Sequence, residues 1–419
     1  MDAEVGDRVA SLRTPWYRGT TSDQRRTFLA AGLGWMLDSM DVMIYAVVLS
    51  YVMADLGMSK EMAGLLGSVG LLSSAVGGIL FGYLADRIGR VRALTLSILM
   101  YAGFTAACGF AQNVTQLAIF RVLVGLGMGG EWATGAALVA ETWPAQHRGK
   151  VLGLVQSFWA IGQALAAVIA GFVVPIWGWR AVFWIGFLPA LLTFWIRRSV
   201  PEPAIWRQSR ANPQKSGLSY RSLFKGKLGR LTLALTLMQA GTMFAWWGFN
   251  TWIPAYLTLP VDQGGVGLTA GAMARFLVVM QIGMFLGYVS YGFISDRLGR
   301  KKKYVGYLIT AACLLPLYGV IENTTLLLLI GPVIAFFATG YFSGMGPVTA
   351  EIYPTPIRAS AQGFIYNVGR GGGAIAPLAV GSMATTSGFG LAFAITGIAF
   401  AFSAVMWVFI PETKGRELE

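Results

Sequence analysis

Apolar stretches long enough to cross a lipid bilayer recur along the whole 419-residue sequence. A membrane-spanning helix needs about 20 predominantly apolar residues. The chain is 55% hydrophobic and only 12% charged, whereas an average soluble domain is about 25% charged, and its mean hydropathy is +0.61. The sequence therefore predicts an all-α membrane protein with twelve transmembrane helices, at 27–54, 62–84, 92–110, 115–138, 151–175, 180–198, 229–257, 270–294, 304–321, 324–347, 359–383 and 388–410.

The positive charges fall almost entirely on one side of these helices. If the N-terminus is cytoplasmic, the cytoplasmic segments hold 27 of the 32 Lys and Arg residues, and the segments on the other side of the membrane hold only Lys60 and Arg180. This distribution follows the positive-inside rule, so we expect a multi-pass protein of the cell's inner membrane with both termini in the cytoplasm. The net charge of +13 then faces anionic lipid headgroups and needs no nucleic acid partner.

Two segments of the sequence are repeated with the same offset of 210 residues. GYLADRIGRVR at 82–92 returns as GFISDRLGRKK at 292–302, and AETWPAQHRGKVLG at 140–153 returns as AEIYPTPIRASAQG at 350–363. One shared offset indicates two homologous six-helix halves. We therefore expect two pseudo-symmetric six-helix bundles, at 27–198 and 229–410, joined by a cytoplasmic linker at 199–228. The two cytoplasmic tails are expected at 1–26 and 411–419.

Both copies of the first repeated segment contain the motif G-x-x-x-D-R-x-G-R, which lies between the second and third helices of each half. Two six-helix halves with this motif resemble the major facilitator superfamily of secondary transporters, and the resemblance covers nearly the whole chain. The second copy fits fully, while the first departs at Val91, where a basic residue is usual. The glycines permit a tight turn and close helix contact, and the motif would latch the two halves on the cytoplasmic side. The alternative is a basic turn that only sets topology. The residues expected in the latch, from both repeats, are Gly82, Asp86, Arg87, Arg90, Glu141, Arg148, Gly292, Asp296, Arg297, Arg300, Glu351 and Arg358.

Five charged side chains fall well inside the predicted membrane helices, where a charge is costly. They are Asp38 and Asp41 in the first helix, Arg121 and Glu131 in the fourth, and Arg370 in the eleventh. Asp38 and Asp41 are three residues apart, and Arg121 and Glu131 are ten apart, close to three helical turns. Each pair therefore shares one face of its helix. Three acids against two bases leave at least one acid without a permanent cationic partner. Such an acid is easily protonated, and proton-coupled transport needs a group of this kind.

The resemblance implies roles for four of these charges. Proton-coupled sugar porters place a first-helix acid opposite a fourth-helix arginine, and the matching residues here are Asp41 and Arg121. GWMLDSMD at 34–41 and GMGGEW at 127–132 resemble the metabolite/proton symporters that carry sialate, lactate and related organic acids, and the second segment adds Glu131. We expect proton coupling at these three residues and at Asp38, with the larger share at Asp41. Fixed ion pairs that only hold helices together are the alternative.

Arg370 belongs to the second half and is expected to lie opposite the acids across a central cavity. A planar guanidinium binds a carboxylate through two parallel hydrogen bonds, as recognition of an organic acid requires. Pairing with a protein acid such as Glu131 is the alternative interpretation. Further candidates for the substrate site, each of which could equally be a partner in helix packing, are Asn367, Tyr366, Gln156, Gln163, Asn250, Tyr341 and Trp159.

The sequence argues against an enzyme and against an ATP-driven pump. It shows no nucleophile with its base and no GxxxxGK[ST] motif. Cys108 and Cys313 lie in separate predicted helices and are expected to be free, buried thiols, so we expect neither a metal nor a cofactor. A channel or a non-transporting membrane sensor is the alternative from another class, but two repeated halves with glycine-rich helices favour rocking about a central site.

The leading functional hypothesis is proton-coupled symport of a small organic anion, either a monocarboxylate or a sialate-like acid, by a monomer in the bilayer. A sugar/proton symporter is the main rival, because PEPAIW at 201–206 and PETKG at 411–415 resemble sugar-porter signatures. An aromatic acid/proton symporter is a third possibility, since a DxxD first helix occurs in those proteins as well. The sequence leaves open the substrate, the choice between H+ and Na+, and the choice between symport and exchange.

Overall fold

The computed structural model describes residues 20–143, 145–202, 223–353 and 355–413. Within these ranges the regular structure is helical. The α-helices are α1 (Ser22–Leu56), α2 (Lys60–Ile88), α3 (Arg90–Cys108), α4 (Val114–Thr142), α5 (Ala145–Ile185), α6 (Leu188–Ser199), α7 (Gly226–Thr258), α8 (Ala270–Leu298), α9 (Arg300–Tyr318), α10 (Thr324–Gly340), α11 (Phe342–Ile352) and α12 (Thr355–Met406), and a 3₁₀ turn covers Val261–Gln263.

Polar caps mark where several of the helices begin. At the start of α1, Thr21 and Gln24 form a reciprocal capping box. Ser59 accepts a hydrogen bond from the backbone N–H of Met62 at the start of α2, and Asn113 and Asn323 cap α4 and α10 in the same way. Asn113 and Asn323 are 210 residues apart, so the repeat seen in the sequence also sets where equivalent helices begin.

Glycines with positive φ turn the chain between successive spans. Gly89 (φ 113°) separates α2 from α3, and Gly299 (φ 96°) separates α8 from α9. Gly178 (φ 74°) and Gly388 (φ 80°) interrupt α5 and α12, so each of these long helices contains parts of two consecutive spans. Both pairs again show the offset of 210. Other residues rarely adopt this backbone conformation, which is why glycine stands at each turn.

These breaks divide the described helices into twelve transmembrane segments, six in each half. The sixth segment runs from Gly178 through α6, and the tenth consists of α10 and α11 joined at Tyr341. In the described residues, seven helices are long and apolar enough to cross a membrane, and two of these, Val151–Ile196 and Ala361–Met406, cover 46 residues each. Large apolar side chains such as Ile79 and Phe172 are exposed on the outer surface, as lipid contact requires. The predicted fold class is confirmed.

The two halves pack against each other through three pairs of helices, α2 with α12, α5 with α8, and α1 with α7. Helix α1 begins and α6 ends on the same side of the bundle, where Arg26 donates a hydrogen bond to the Ser199 carbonyl (3.4 Å). We call this side the linker face and the other side the opposite face. At the opposite face the halves are joined by a hydrogen bond between Ser50 and Thr258 (2.6 Å) and one from the Lys60 ammonium to the Gln263 carbonyl (2.8 Å).

The cysteines are placed differently from one another. Both are free thiols, and Cys108 is buried in α3, but Cys313 is exposed on the surface of α9. The expectation that Cys313 is buried was therefore wrong, because a residue inside a membrane helix can face lipid instead of protein.

Candidate functional site

One face of α1 carries the polar groups of the first half. Gly34, Asp38, Asp41 and Tyr45 follow one another at spacings of four, three and four residues, which places them in a line along the helix. Both carboxylates are buried, with 0% and 1% of their surface exposed. We call this line of residues, together with the two α4 side chains described next, the α1 polar column.

Two side chains of α4 lie at the two ends of the column. The Glu131 carboxylate lies against Gly34, where an added Cβ would stand 2.6 Å from its Oε1 atom. Arg121 stacks on the ring of Tyr45, with its guanidinium carbon 4.4 Å from the ring centroid. Ten residues of helix separate the two, about 15 Å along the axis. Both therefore face α1, but Glu131 lies nearer the linker face and Arg121 nearer the opposite face.

Asp41 points away from the second half. The Thr105 hydroxyl of α3 donates a hydrogen bond of 2.9 Å to its Oδ2 atom. Its Oδ1 atom lies beside Gly186, between α5 and α6, where a Cβ would be 2.9 Å away. Arg121 is close enough for its charge to act on Asp41, yet within the described residues neither forms an ion pair. The expected partnership is thus electrostatic and not a direct contact.

Asp38 lies where the charges of the two halves meet. Both of its carboxylate oxygens are buried and have no hydrogen-bond partner. Its charge interacts with that of Arg370 from the second half and with those of Glu131 and Asp41 from the first. Arg370 is itself 5% exposed, and its guanidinium lies 5.9 Å from the Tyr366 ring. Arg370 of the second half therefore lies close enough to Asp38 for the two charges to interact.

A small cavity lies between the halves beside the opposite-face end of the column. Among the described residues that line it, Arg121 is the one charged side chain, and α7 of the second half contributes Trp247 and Thr251. The remaining lining residues are Val42, Met43, Tyr45, Ala46, Gly67, Gly70, Leu71, Val124, Gly125 and Met128. A second cavity of about 280 Å³ lies within the second half and is lined by Trp246, Phe249, Asn250, Met280, Gln281, Met284, Ala335, Ala338 and Thr339.

The other predicted substrate-site residues are spread over both halves. Trp159 packs on Trp35 (4.5 Å between ring centroids) and approaches Trp246 (6.1 Å). Gln163 is buried, and its amide atoms have no hydrogen-bond partner. Asn250 lines the second cavity.

Three further candidates make hydrogen bonds to other parts of the protein. Gln156 bonds to the Tyr288 hydroxyl, and Asn367 donates to the Gly363 carbonyl of its own helix (2.9 Å). Tyr341 is fully buried and donates to the Thr242 carbonyl (3.3 Å). None of the three lines either cavity.

Two residues of α3 belong to the site although the sequence did not point to them. Thr105 holds Asp41, and the buried hydroxyl of Tyr101 lies within electrostatic range of Asp38, Asp41 and Glu131. They are four residues apart and so share one face of a helix that has no charge at that depth. The four-residue spacing of Tyr101 and Thr105 could have indicated a polar face of α3. A search for charged residues does not find it, because both side chains are uncharged.

Glutamates cap the third helix of each half at the linker face. Glu202 accepts hydrogen bonds from the backbone N–H groups of Arg90 (2.8 Å) and Val91 (3.0 Å). Glu412 accepts them from Arg300 (2.9 Å) and Lys301 (3.1 Å). A carboxylate suits a helix N-terminus, where N–H groups lack intrahelical partners. The two glutamates are 210 residues apart and lie in the segments that resemble sugar-porter signatures.

Some of the residues predicted for the latch lie in the described part of the chain, and the latch itself stays a prediction. Arg300 forms an ion pair with Glu351 (3.2 Å), which joins α9 to α11 within the second half. Arg87 is exposed and stacks on Tyr83 of its own helix, 4.4 Å from the ring centroid. At Gly82 an added Cβ would meet none of the described atoms within 4 Å, and close helix contact there stays a prediction. The side-chain surroundings of the remaining predicted residues lie outside the described part, namely Asp86, Glu141, Arg148, Gly292, Asp296, Arg297 and Arg358.

Close contact between helices is provided by glycines deeper in the bundle. Gly77 of α2 packs on the Leu126 carbonyl, and Gly129 of α4 packs on the Ser74 carbonyl. These two contacts bring α2 and α4 together beside the column.

Comparison with known proteins places the chain in a family. The sequence profile of the Major Facilitator Superfamily matches residues 31–290 and 263–419. A protein of Cupriavidus pinatubonensis named "Probable 4-methylmuconolactone transporter" is 37% identical over 96% of this chain and 94% of its own length. The cis,cis-muconate transport protein of Acinetobacter baylyi is 35% identical over 90% of this chain and 92% of its own.

The fold agrees with that of a solved transporter. The xylose transporter XylE of E. coli, in a partially occluded inward-open conformation, superposes with a TM-score of 0.76 at 20% identity, over 95% of this chain and 100% of that one. At this identity the likeness concerns the fold alone. The profile match and the two relatives, each covering nearly the full chain, establish that this protein belongs to the Major Facilitator Superfamily and is a membrane transporter rather than an enzyme.

Proposed function

We propose that this protein carries a small organic anion across the membrane together with protons, as a symporter that works by alternating access. The relatives named above are transporters of 4-methylmuconolactone and of cis,cis-muconate, which supports an organic acid as substrate. Buried arginines in both halves could supply the positive charge that an anion needs inside a bilayer.

The observation that carries the proposal is the environment of Asp38. Its carboxylate is buried without a hydrogen-bond partner, and among the residues that the structure describes the cation that acts on it is Arg370, on the other half. A nearby cation stabilises an ionised carboxylate, and burial alone favours the protonated form. When the halves rock and the distance between Asp38 and Arg370 changes, Asp38 therefore binds or releases a proton. This links proton transfer to the conformational change.

The rest of the α1 polar column gives the proton a route. Glu131 lies nearer the linker face than Asp38, and the Tyr101 hydroxyl lies within range of both acids. Asp41 continues the line of acids toward the opposite face. Proton coupling then rests on carboxylates, and the charge environment of Asp38 depends on the second half.

We further propose that the linker face is cytoplasmic, from the placement of Lys and Arg. A cysteine in place of Ser209, which lies outside the described residues, should resist membrane-impermeant thiol reagents in intact cells. Gln112, exposed at the opposite face, is the matched position, and a cysteine there should be labelled readily. The reverse pattern would overturn this orientation.

Uptake into proteoliposomes under an inward proton gradient tests the proposed function. The panel contains cis,cis-muconate, benzoate, lactate, sialate and glucose, with protein-free vesicles as the control for passive entry of weak acids. We expect gradient-driven accumulation of at least one of the organic acids, abolished by a protonophore, and none of glucose. Accumulation of glucose alone would favour the sugar-porter alternative, and uptake that follows only a Na+ gradient would exclude proton coupling.

A further inference from the structure

We infer that Lys60 is a lock that holds the opposite face closed, a contact that must break before the two halves separate there. The inference rests on the alternating access of the proposed function and names the residue that controls it at this face. Lys60 and Arg180 are the two basic residues expected in the segments on this side of the membrane, against the positive-inside bias. Arg180 pairs within its own half, with the Asp55 carboxylate (2.8 Å), whereas Lys60 reaches across to the other half.

The ammonium group of Lys60 contacts the second half at two points. It donates a hydrogen bond to the Gln263 carbonyl (2.8 Å), in the 3₁₀ turn after α7, and it lies 5.0 Å from the centroid of the Phe389 ring in α12. The backbone carbonyl of Lys60 also lies against α12, since a Cβ at Gly381 would stand 2.6 Å from it. One residue therefore joins the first turn of α2 both to α12 and to the loop after α7.

Both partners of the ammonium group are held firmly within the second half. Phe389 is buried, and its ring packs on those of Tyr256 (5.2 Å between centroids) and Phe393 (5.6 Å). The loop that contains Gln263 is held to the end of α7 by a hydrogen bond from the Val266 N–H to the Tyr256 carbonyl (2.9 Å). Because neither partner can follow Lys60 on its own, α2 cannot move away from α7 and α12 without breaking both contacts of the ammonium group.

The Lys60 contact differs in kind from other described contacts between the halves at the opposite face. Those contacts are made by neutral groups, as in the hydrogen bond from the Leu378 N–H to the Ser68 hydroxyl (3.1 Å). A hydrogen bond from an ammonium group is stronger, and a cation beside an aromatic ring adds to it. Among the described residues Lys60 forms no ion pair, so opening leaves no acid without its partner. The contact can therefore favour the closed state and still be released in each cycle.

Distance measurements on the full-length protein in detergent test the inference without any substrate. The two native cysteines are replaced, and double electron–electron resonance is the readout. Two pairs of spin labels, one at each face, are placed on cysteines at exposed residues 210 positions apart, namely Gln112 with Glu322 at the opposite face and Arg92 with Lys302 at the linker face.

Lys60→Met retains the apolar stem of the side chain and removes the ammonium group. We expect the ratio of open to closed molecules at the opposite face to rise about tenfold, as the loss of a hydrogen bond from a charged group predicts. Distances should lengthen at the opposite face and shorten at the linker face. Lys60→Arg keeps a donor and a cation beside the ring and should resemble the wild type. Arg275→Met removes an exposed charge of α8 and is the matched control, which should change neither distance.

Unchanged distances in Lys60→Met at both faces, or an equal shift in Arg275→Met, would overturn the assignment of the lock to Lys60. Longer distances at both faces of Lys60→Met would mean a loosened fold and would overturn it as well. Lys60→Gln repeats the test with an uncharged polar side chain if the methionine variant does not fold, and the same shift is expected. Failure of every substrate in the uptake panel would defeat the proposed function, and these distances would still show whether Lys60 holds the face closed.

Discussion

Asp38 and Asp41 are three residues apart on one helix, yet their carboxylates have different surroundings. Asp41 receives a hydrogen bond from Thr105 and faces the helices of its own half, whereas Asp38 has no hydrogen-bond partner and interacts with the charge of Arg370. The resemblance to sugar porters favoured Asp41 as the main proton site. The geometry favours Asp38, because a group that reports the conformational change must interact with the half that moves relative to it.

Replacing Asp38 by asparagine tests this assignment, because asparagine keeps the size of the side chain and resembles the protonated acid. We expect Asp38→Asn to abolish accumulation driven by a proton gradient and to retain exchange of substrate between the two sides of pre-loaded vesicles. Radiolabelled counterflow and gradient-driven uptake of cis,cis-muconate measure the two activities separately. Asp41→Asn should show the same defect more weakly, since Asp41 acts on its neighbours from within the first half.

The opposite result is equally informative. Full accumulation in Asp38→Asn together with its loss in Asp41→Asn would return the proton site to Asp41 and make Asp38 a secondary group. If both variants accumulate substrate normally, Glu131 becomes the remaining acid of the column to be tested.

At the scale of single helices, the third helix of each half depends on a glycine and a distant glutamate. Gly89 and Gly299 adopt positive φ just before α3 and α9. A Cβ at either position would also collide with or crowd the carboxylate that caps the helix, Glu202 in the first half and Glu412 in the second. The glycine is therefore required both for the turn and for the approach of the cap.

Removal of the Glu202 cap should lower the stability of the first half. Glu202→Ala leaves the backbone N–H groups of Arg90 and Val91 without their acceptor, a loss of about 0.5–2 kcal/mol for a typical helix cap. Thermal unfolding of the detergent-purified protein should show a lower midpoint than the wild type. Glu322→Ala, at an exposed loop residue of the opposite face, is the control and should leave the midpoint unchanged. Equal midpoints for both variants would mean that the cap contributes nothing to stability.

The positions of the helices were predictable from the sequence, but the contacts between residues far apart in the chain were not. Apolar length and one offset of 210 residues were enough to predict twelve spans in two halves. The break at Tyr341 between α10 and α11 was not predictable, because it lies inside a continuous apolar run. The partners of Glu202 and Glu412 were missed because each is more than 100 residues away along the chain, and no local pattern links residues at that distance.

The same limit applies to the site. The five buried charges were found by composition alone, since any charge within an apolar span stands out. Which arginine interacts with which acid depends on how the helices are rotated and how deep each residue lies. Arg121 was expected opposite Asp41, but it stacks on Tyr45 and faces the cavity.

For the whole molecule, the described contacts between the halves include a tight seam at the opposite face. Gly64 of α2 packs on the Pro377 carbonyl of α12, so that an added Cβ would overlap it. One step along, the Leu378 N–H donates to the Ser68 hydroxyl (3.1 Å). The ring of Pro377 extends the contact, since a Cβ at Gly67 of α2 would lie 3.1 Å from the proline Cβ atom. The seam must separate for the cavity to open toward this face.

An added methyl group at Gly64 should therefore push α2 and α12 apart. We expect Gly64→Ala to shift the population toward conformations open at the opposite face. Spin labels on cysteines at Gln112 and Glu322, equivalent loop residues of the two halves, with Cys108 and Cys313 replaced, would report this as longer distances in double electron–electron resonance. Gly306→Ala is the control, because a Cβ there meets nothing within 4 Å. An unchanged distance distribution in Gly64→Ala would show that this seam does not limit opening.

The central claim, that proton and anion cross together through a cycle governed by Asp38, is tested most directly by following both at once. Proteoliposomes that contain a pH-sensitive dye would receive cis,cis-muconate outside in the absence of any ion gradient, with protein-free vesicles to correct for passive entry. We expect the lumen of wild-type vesicles to acidify in step with muconate uptake, and vesicles with Asp38→Asn to show no such acidification. Uptake of muconate by the wild-type protein without any change of internal pH would contradict the claim.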